Sequence, residues 1–361
     1  MPSQDTVLDL HLVRGPLRSA DADAVLRAYN HLALADVRPD NFERWLCHGP
    51  AGAAAHALLR TPTGDIVAHY CLFPFPMDLF GQRVTAAKGE YLFVMPAYRR
   101  ASVSGFEAAG QMPAIVLLKQ LYHYVSEELQ WDPVFLNAPP GVDALHRLCG
   151  AKPVDFPLTE CLFIRRPWRS AISTPNLTKK QRLVMLAAGL LQSALLRGYQ
   201  LKPWRRASSL QAVSVDQSLP MEPASGKVAF CWSPDYLRWR YPEDQFVAYQ
   251  WMGSGTNCLI ARRGSSQHYL RVCTSRIAGS QVALRRLLLD LLAEAEKQGA
   301  LGVRWAAYHH ADLPGGFLRQ LRRFGFLCVQ RTRTILLLTR HPRLRDPAAW
   351  SMEDSLTAFE H

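Results

Sequence analysis

The chain has 361 residues, 48% of them hydrophobic and 20% charged. That composition excludes a disordered or low-complexity protein and leaves room for two domains, each with its own core. Eight Cys are scattered with no CxxC pair and no zinc-type Cys/His spacing. A disulfide scaffold and a structural metal site are thereby disfavoured, and reduced thiols of a cytoplasmic protein are expected. No basic region followed by an apolar run opens the sequence, so a secretory leader is not expected. The net charge of +12 is unevenly placed: residues 1–168 hold 15 Lys+Arg against 17 Asp+Glu, and residues 169–361 hold 27 against 13. Segregated charge of this kind implies either an anionic partner docking on one side or a solvated Arg-rich surface.

The first elements in chain order are a strand over Val7–Val13 and a helix capped by Asp21 or Asp23 that carries Val25, Leu26, Tyr29, Leu32 and Leu34. Phe42–Cys47 reads as a short aromatic helix. Ala54–Arg60 and Asp65–Phe73 flank Thr61-Pro62-Thr63-Gly64, a hairpin signal. Phe80-Gly81-Gln82 is a further turn. Lys88–Met95 is an apolar strand that stops at Pro96. A Ser- and Gly-containing stretch, 101–111, leads to a helix over Pro113–Leu129 with Ile115, Leu118, Leu121, Tyr122 and Val125 on one side. Pro133–Asn137 is a short strand, Val142–Cys149 a helix ended by Gly150, and Leu158–Ile164 a closing strand.

The second half repeats this order. Phe42-Glu43-Arg44-Trp45 has a counterpart in Tyr236-Leu237-Arg238-Trp239. Strands are expected over Phe246–Met252, Asn257–Arg262, His268–Cys273 and Gly302–Ala307. Helices are expected over Gln281–Gln298 and Gly316–Phe324, the second ended by Gly325. The closing strand, Thr334–Leu338, runs into a basic end and a proline, as Cys161–Ile164 does before Arg165-Arg166-Pro167. The tail from Trp350 is expected to pack on the surface. A fold-sized repeat of mixed strands and helices implies two tandem α/β units, 1–167 and 228–361, with helices on both faces of mixed sheets. Between them lies a basic linker, 168–227, with an apolar run at 183–196. That run is too short to span a membrane. It is either an interdomain helix packed on both halves or a helix lying at a membrane interface with basic flanks.

The strand ending at Val94 continues as Met95-Pro96-Ala97-Tyr98-Arg99-Arg100. This resembles the V-x-P-x-Y-R-G signature of the GNAT superfamily, the acyl-CoA N-acyltransferases. The resemblance implies that Val94, Met95, Tyr98, Arg99, Arg100, Ser102 and Ser104 bind the cofactor, through loop N–H groups at a helix N-terminus that cradle a pyrophosphate. The family's Gly-x-Gly is replaced here by Arg100-Ala101-Ser102-Val103-Ser104-Gly105. The family's next landmarks are an Asn on the following strand and a Tyr general acid four residues before a Gly. Asn137 stands at the first, and His146, four before Gly150, at the second. Glu90, a carboxylate in an otherwise apolar strand, is the general-base candidate. The alternative for it is an outward-facing residue paired with Lys88 or Arg83. The second copy has neither the P-x-Y-R run nor a Tyr or His before Gly325, where Leu321 stands.

The tandem arrangement is similar to that of Fem-type aminoacyl-tRNA-dependent transferases and of bacterial proteins linked to polysaccharide or secondary-metabolite acylation. The expectation is an N-acyltransferase using acetyl-CoA, another acyl-CoA or an acyl carrier protein thioester, without metal. Its acceptor would be a small-molecule amine or a sugar. The alternatives are a Fem-like transferase holding tRNA on its basic half, and a non-catalytic binding or scaffold protein. The cytoplasm is the expected location, with peripheral contact at the inner membrane through 183–196. Trp204-Arg205-Arg206 and Trp239-Arg240-Tyr241-Pro242 mix aromatics with Arg and read as base-stacking or packing residues. His309-His310 with Asp312 reads as loop.

Overall fold

The computed structural model describes residues 6–33, 37–47, 49–106, 111–136, 141–174, 177–200, 210–214, 226–231, 233–251, 258–265, 268–276, 281–308 and 316–351. Asn137, Trp204-Arg205-Arg206, His309-His310 and Asp312 lie outside them. The first half comprises β1 (Val7–Arg14), α1 (Ser19–Ala33), α2 (Pro39–Cys47), β2 (Ala55–Arg60), β3 (Ile66–Leu79), β4 (Gln82–Val94), β5 (Ser102–Val103), α3 (Pro113–His123), β6 (Val134–Leu136), α4 (Asp143–Leu148) and β7 (Lys152–Ile164). Helices α5 (Pro167–Ser173) and α6 (Lys179–Gln200) follow. The second half comprises β8 (Leu210–Val213), β9 (Val228–Phe230), α7 (Pro234–Arg240), β10 (Phe246–Trp251), β11 (Cys258–Arg262), β12 (Leu270–Arg276), α8 (Gln281–Lys297), β13 (Gly302–Tyr308), α9 (Phe317–Arg323) and β14 (Leu327–Leu338).

All the strands form one mixed sheet in the order β5-β1-β2-β3-β4-β6-β14-β7-β13-β12-β11-β10-β8, with β9 pairing β3. The two arms of the sheet have similar orders. Inside the edge strand β5 one runs β1-β2-β3-β4-β6, and from the other edge the second runs β8-β10-β11-β12-β13. Each has a parallel pair at the matching place, β4 with β6 and β12 with β13, and β5 adds a further parallel pair with β1. The closing strands are exchanged: β14 pairs with β6 of the first half, and β7 pairs with β13 of the second. Between themselves β7 and β14 pair antiparallel from Leu162/Leu327 to Lys152/Leu337. The halves therefore share a continuous backbone ladder. Strand β8, inside the 168–227 segment, pairs with β10 and extends the second arm.

The repeated aromatic phrases meet each other. Trp45 on α2 and Trp239 on α7 are edge-on at 4.8 Å, and Trp239 Nε1 donates to the Arg44 carbonyl at 3.0 Å. The buried Arg240 lies over the Trp45 ring at 5.5 Å and the Tyr241 ring at 5.1 Å. These groups pack a core junction, where the offset rings and cation–π contacts add to plain burial.

Several elements exceed their expected bounds for identifiable reasons. Strand β3 runs on through Pro74 and Pro76, past the end of its pairing with β2 at Leu72. A proline lacks only the donor on an edge that β2 no longer occupies, so the strand survives. The helical run expected over 113–129 is regular to His123 and then widens over Tyr124–Glu128. Trp350 is a correction. It is buried rather than on the surface, edge-on to Phe135 and Phe156, with Nε1 donating to the Leu344 carbonyl at 3.0 Å.

Candidate active site

The site begins where β4 leaves β6. Their parallel pairing covers Ala87/Val134, Lys88/Phe135 and Gly89/Leu136 and then stops. On the other side of β4 the register with β3 slips, from Cys71/Glu90 to His69/Phe93. Strand β4 thus spends Tyr91 and Leu92 where β3 spends Tyr70 alone, and Tyr91 takes φ 58°. An extra residue of this kind bends the strand and frees its edge. A non-glycine residue at positive φ costs about 1–3 kcal/mol and needs support from its surroundings. The support is visible. The Tyr91 ring is buried against Tyr29 at 5.0 Å and Phe42 at 5.0 Å. The carbonyls displaced by the bulge are taken up by side chains of β3: His69 Nδ1–H donates to Tyr91 O at 3.1 Å, and Cys71 Sγ–H to Glu90 O at 3.4 Å. Since a carbonyl only accepts, His69 carries its proton on Nδ1. Its Nε2 then accepts from His56 Nδ1–H at 3.0 Å.

A cleft of about 610 Å³ opens beside the bulge, within the range of small-molecule sites. Six consecutive residues, Gly89–Val94, line it. Side chains alternate across a strand, so an unbroken run means that the strand's edge, with its backbone amides, faces the cavity. Opposite stand Leu136 at the end of β6, Val142, Leu145 and His146 from the α4 region, and Met112 and Ala114 at the start of α3. Pro113 occupies the first turn of α3, and the N–H groups of Ile115 and Val116 return to Met112 O. The positive end of the α3 dipole therefore borders the cleft.

Glu90 faces this cavity and is also paired: Lys88 Nζ lies 2.5 Å from its Oε1. Lys88 is buried, so the pair is not the solvent-facing one that the sequence also allowed. Burial pushes Lys88 down to about 8, with Arg240 and Arg333 acting in the same direction and Glu90 opposing them. His146 is buried too, and its Nδ1 meets the Tyr122 hydroxyl at 2.6 Å. Burial lowers the imidazole to about 4, outweighing nearby Asp143, so the ring is neutral at pH 7. The Tyr122 ring stands edge-on to Tyr70, with 6.2 Å between centroids, and burial raises both phenols. Tyr70 and His146 both line the cleft, which makes His146, Tyr122 and Tyr70 a chain of side-chain contacts reaching it at two points.

Gly89 holds this chain in place. A Cβ there would stand 1.7 Å from the Tyr70 hydroxyl and 3.0 Å from Leu136 Cδ2. Gly89→Ala is therefore expected to displace Tyr70 and to cost about 1–3 kcal/mol of stability, as overpacking does. A urea midpoint equal to that of the native chain would show that the contact yields freely.

Of the residues expected from sequence, Glu90, Val94, Arg99 and His146 line this one cleft. Met95 and Tyr98 pack beneath it, against the core cluster that contains Leu117 and Leu121. Arg100, Ser102 and Ser104 are exposed and do not line it. Ser102–Val103 instead form β5 beside Val7–Leu8, and Ser104 N–H donates to Leu8 O at 2.8 Å. The N–H groups of Tyr98, Ala101 and Phe106 are likewise satisfied within the loop. Among the described residues, then, the helix ends that line the cavity are the C-terminus of α1, at Ala33, and the N-termini of α3 and α4. Lys88 was expected only as a surface partner of Glu90, and the place of Tyr70, Tyr122 and Gly89 at the site was not expected from sequence. The available signal was Gly89, since a glycine inside an apolar strand marks a close approach.

No protein-family model matches this sequence, and no curated protein matches it. Solved structures do. A conserved protein of unknown function from Enterococcus faecalis V583, described as a probable N-acyltransferase, superposes with a TM-score of 0.53 at 10% identity, over 91% of this chain and 72% of its own. A GCN5-related N-acetyltransferase from Kribbella flavida superposes with a TM-score of 0.50 at 15% identity, over 92% of this chain and 71% of its own. At such identities the likeness is one of fold. The chain shares the mixed α/β fold of these two structures over most of its length.

Proposed function

We propose that the protein is an N-acyltransferase that moves an acyl group from an acyl thioester to an amine in the cleft beside the β4 bulge. The observation that carries this reading is the gathering of Glu90, Arg99 and His146 on one cavity, at the point where β4 splits from β6. An open strand edge suits a donor arm built from amides, such as the pantetheine arm shared by acyl-CoA and acyl carrier protein. The start of α3 and the exposed Arg99 supply positive potential for its phosphates. The acceptor is a small-molecule amine or an amino sugar, and the free thiols of all eight Cys suit a reducing, cytoplasmic setting.

Each residue then has a task. Glu90, fixed by Lys88, takes the proton of the incoming amine directly or through one water. The amine nitrogen bonds to the thioester carbonyl carbon, and backbone N–H groups on the bulged edge stabilise the developing oxyanion. The C–S bond breaks, and the departing thiolate receives the Nε2 proton of His146 as His146 Nδ1 takes the proton of the Tyr122 hydroxyl bonded to it. His146 serves here as a neutral member of a relay. An imidazole held near 4 is not an imidazolium at pH 7.

Calorimetric titration with coenzyme A tests the donor, and thiol release from acetyl-CoA in the presence of amines tests the reaction. Arg99→Ala is expected to weaken coenzyme A about tenfold, the loss of roughly one charge-assisted contact. An unchanged affinity removes Arg99 from the site. If the native chain neither binds coenzyme A nor consumes the thioester, the acyl-CoA form of the proposal fails.

A further inference from the structure

Helix α6 is built inside out. Among the described residues its two fully buried ones are Gly189 and Gln192, with Met185, Leu186 and Ser193 half-buried. Its exposed residues include Leu183, Val184, Leu190, Leu191 and Leu195. The neighbouring α5 exposes Trp168 and Ile172, one turn apart. These seven large apolar side chains are between 39% and 73% exposed. Positions 184, 187, 191 and 195 recur at helical spacing, so the apolar residues make a stripe along one face. Contiguous apolar surface of this kind on a folded protein marks an interaction site.

The helix cannot roll to hide the stripe. Gln192 Oε1 accepts from Ile164 N–H at 2.7 Å, and Nε2 donates to Leu162 O at 3.1 Å and to Gly325 O at 2.8 Å. A Cβ on Gly189 would stand 2.7 Å from Pro167 Cβ, so the backbone of α6 rests directly on the start of α5. Rotation would break three hydrogen bonds of a buried amide and drive a turn of helix into Pro167.

Charge identifies what covers this face. From Arg165 to Val215 the sequence has ten Lys+Arg and no Asp or Glu. Lys179, Lys180 and Arg182 are exposed in the first turn of α6, and Arg169 is exposed on α5. Among the described residues no helix is long and apolar enough to cross a membrane. An apolar stripe with a Trp and a wholly basic flank is the pattern of a helix lying in the plane of an anionic bilayer. We propose that α5 and α6 dock the protein on an anionic lipid surface, with the Leu183–Leu195 stripe and Trp168 entering the interface and the Lys/Arg flanks meeting the headgroups.

The test is co-sedimentation of the full chain with phosphatidylglycerol-containing vesicles and with pure phosphatidylcholine vesicles. Binding to the anionic vesicles is expected to exceed binding to the neutral ones at least tenfold at low salt, and to weaken as salt rises. The double substitution Val184→Glu, Leu191→Glu is expected to abolish it with the thermal midpoint unchanged, because both side chains already face solvent. Charge reversal at Lys179, Lys180 and Arg182 is expected to remove the preference for anionic lipid while leaving the fold intact. The proposal is overturned if the native chain stays in solution with anionic vesicles, or if the double variant binds as well as the native chain. It is equally overturned if that variant converts a dimer to a monomer, which would make a second copy the occupant. A large loss of stability in the variant would also overturn it, since the chain itself would then cover the face.

Discussion

Replacing Glu90 with Gln is expected to lower kcat by about 10²–10⁴-fold, the usual range for removal of a general base, while coenzyme A still binds. The substitution keeps the shape of a residue that lies at the first step of the bulge, so the cavity is retained. What it removes is the proton acceptor facing the cleft and the charge partner of Lys88. Glu90 is the group that raises Lys88 against its burial, so without it Lys88 titrates lower still and gives up its proton more readily. The buried amine can then shed the charge that Glu90 no longer pairs. Fold stability near neutrality is therefore expected to change far less than turnover does. Thiol release with a reactive amine gives the rate, and calorimetry gives the affinity. Normal turnover with normal binding would take Glu90 out of the chemistry. His146→Phe is the companion measurement. It keeps the ring volume, severs the bond to Tyr122 and tests the relay alone.

The mixed strand–helix order was legible because it needs only periodicity. The exchange of β7 and β14 was not. A strand's alternation of side chains states which face is buried and not which neighbour it pairs with. The bulge was equally hidden. Tyr91 takes φ 58° without being glycine, so no residue type announced it, and its support comes from Tyr29, Phe42 and His69, which lie far away in sequence. Glu90, Arg99 and His146 were singled out because each matched a family landmark or broke an apolar pattern. Tyr70 and Tyr122 looked like ordinary core aromatics, and only their hydroxyls' positions distinguish them. The motif after Pro96 led to Ser102 and Ser104 because the matching run was assumed to keep the family's loop shape. Its glycines are gone, and the chain lies down beside β1 as an edge strand instead. For α6 the sequence showed an apolar run with two readings, and it did not show the burial of Gly189 and Gln192 that turns large apolar side chains outward.

Stability is expected to hold above about pH 6.5, the ordinary histidine value, and to collapse as the pH falls toward 4. Three histidines are responsible. Burial takes His56 to about 4 and His146 to about 4, and it holds His69 well below the ordinary value. In each case the folded state binds a proton more weakly than the unfolded chain, so acid favours unfolding. The stability these groups permit is complete above the unfolded value and is lost progressively toward the folded one. A displacement from 6.5 to about 4 corresponds to roughly 3 kcal/mol for His146 alone. His56 and His69 reinforce each other. Their facing nitrogens are 3.0 Å apart, and two imidazolium rings at that distance repel, so the folded pair takes up at most one proton where the unfolded chain takes two. Against a total of about 5–15 kcal/mol for a typical fold, the three together remove a large share of the stability as the pH falls toward 4. Urea midpoints measured from pH 8 to pH 4.5 should be level at first and then fall with a slope approaching three protons. His146→Phe should lower the plateau, through loss of the Tyr122 bond, and flatten the slope by about one proton. A midpoint that stays constant through pH 5 would show that the buried rings are solvated after all. It would also loosen the support that His69 gives the bulged carbonyl of Tyr91, on which the geometry of the cleft rests.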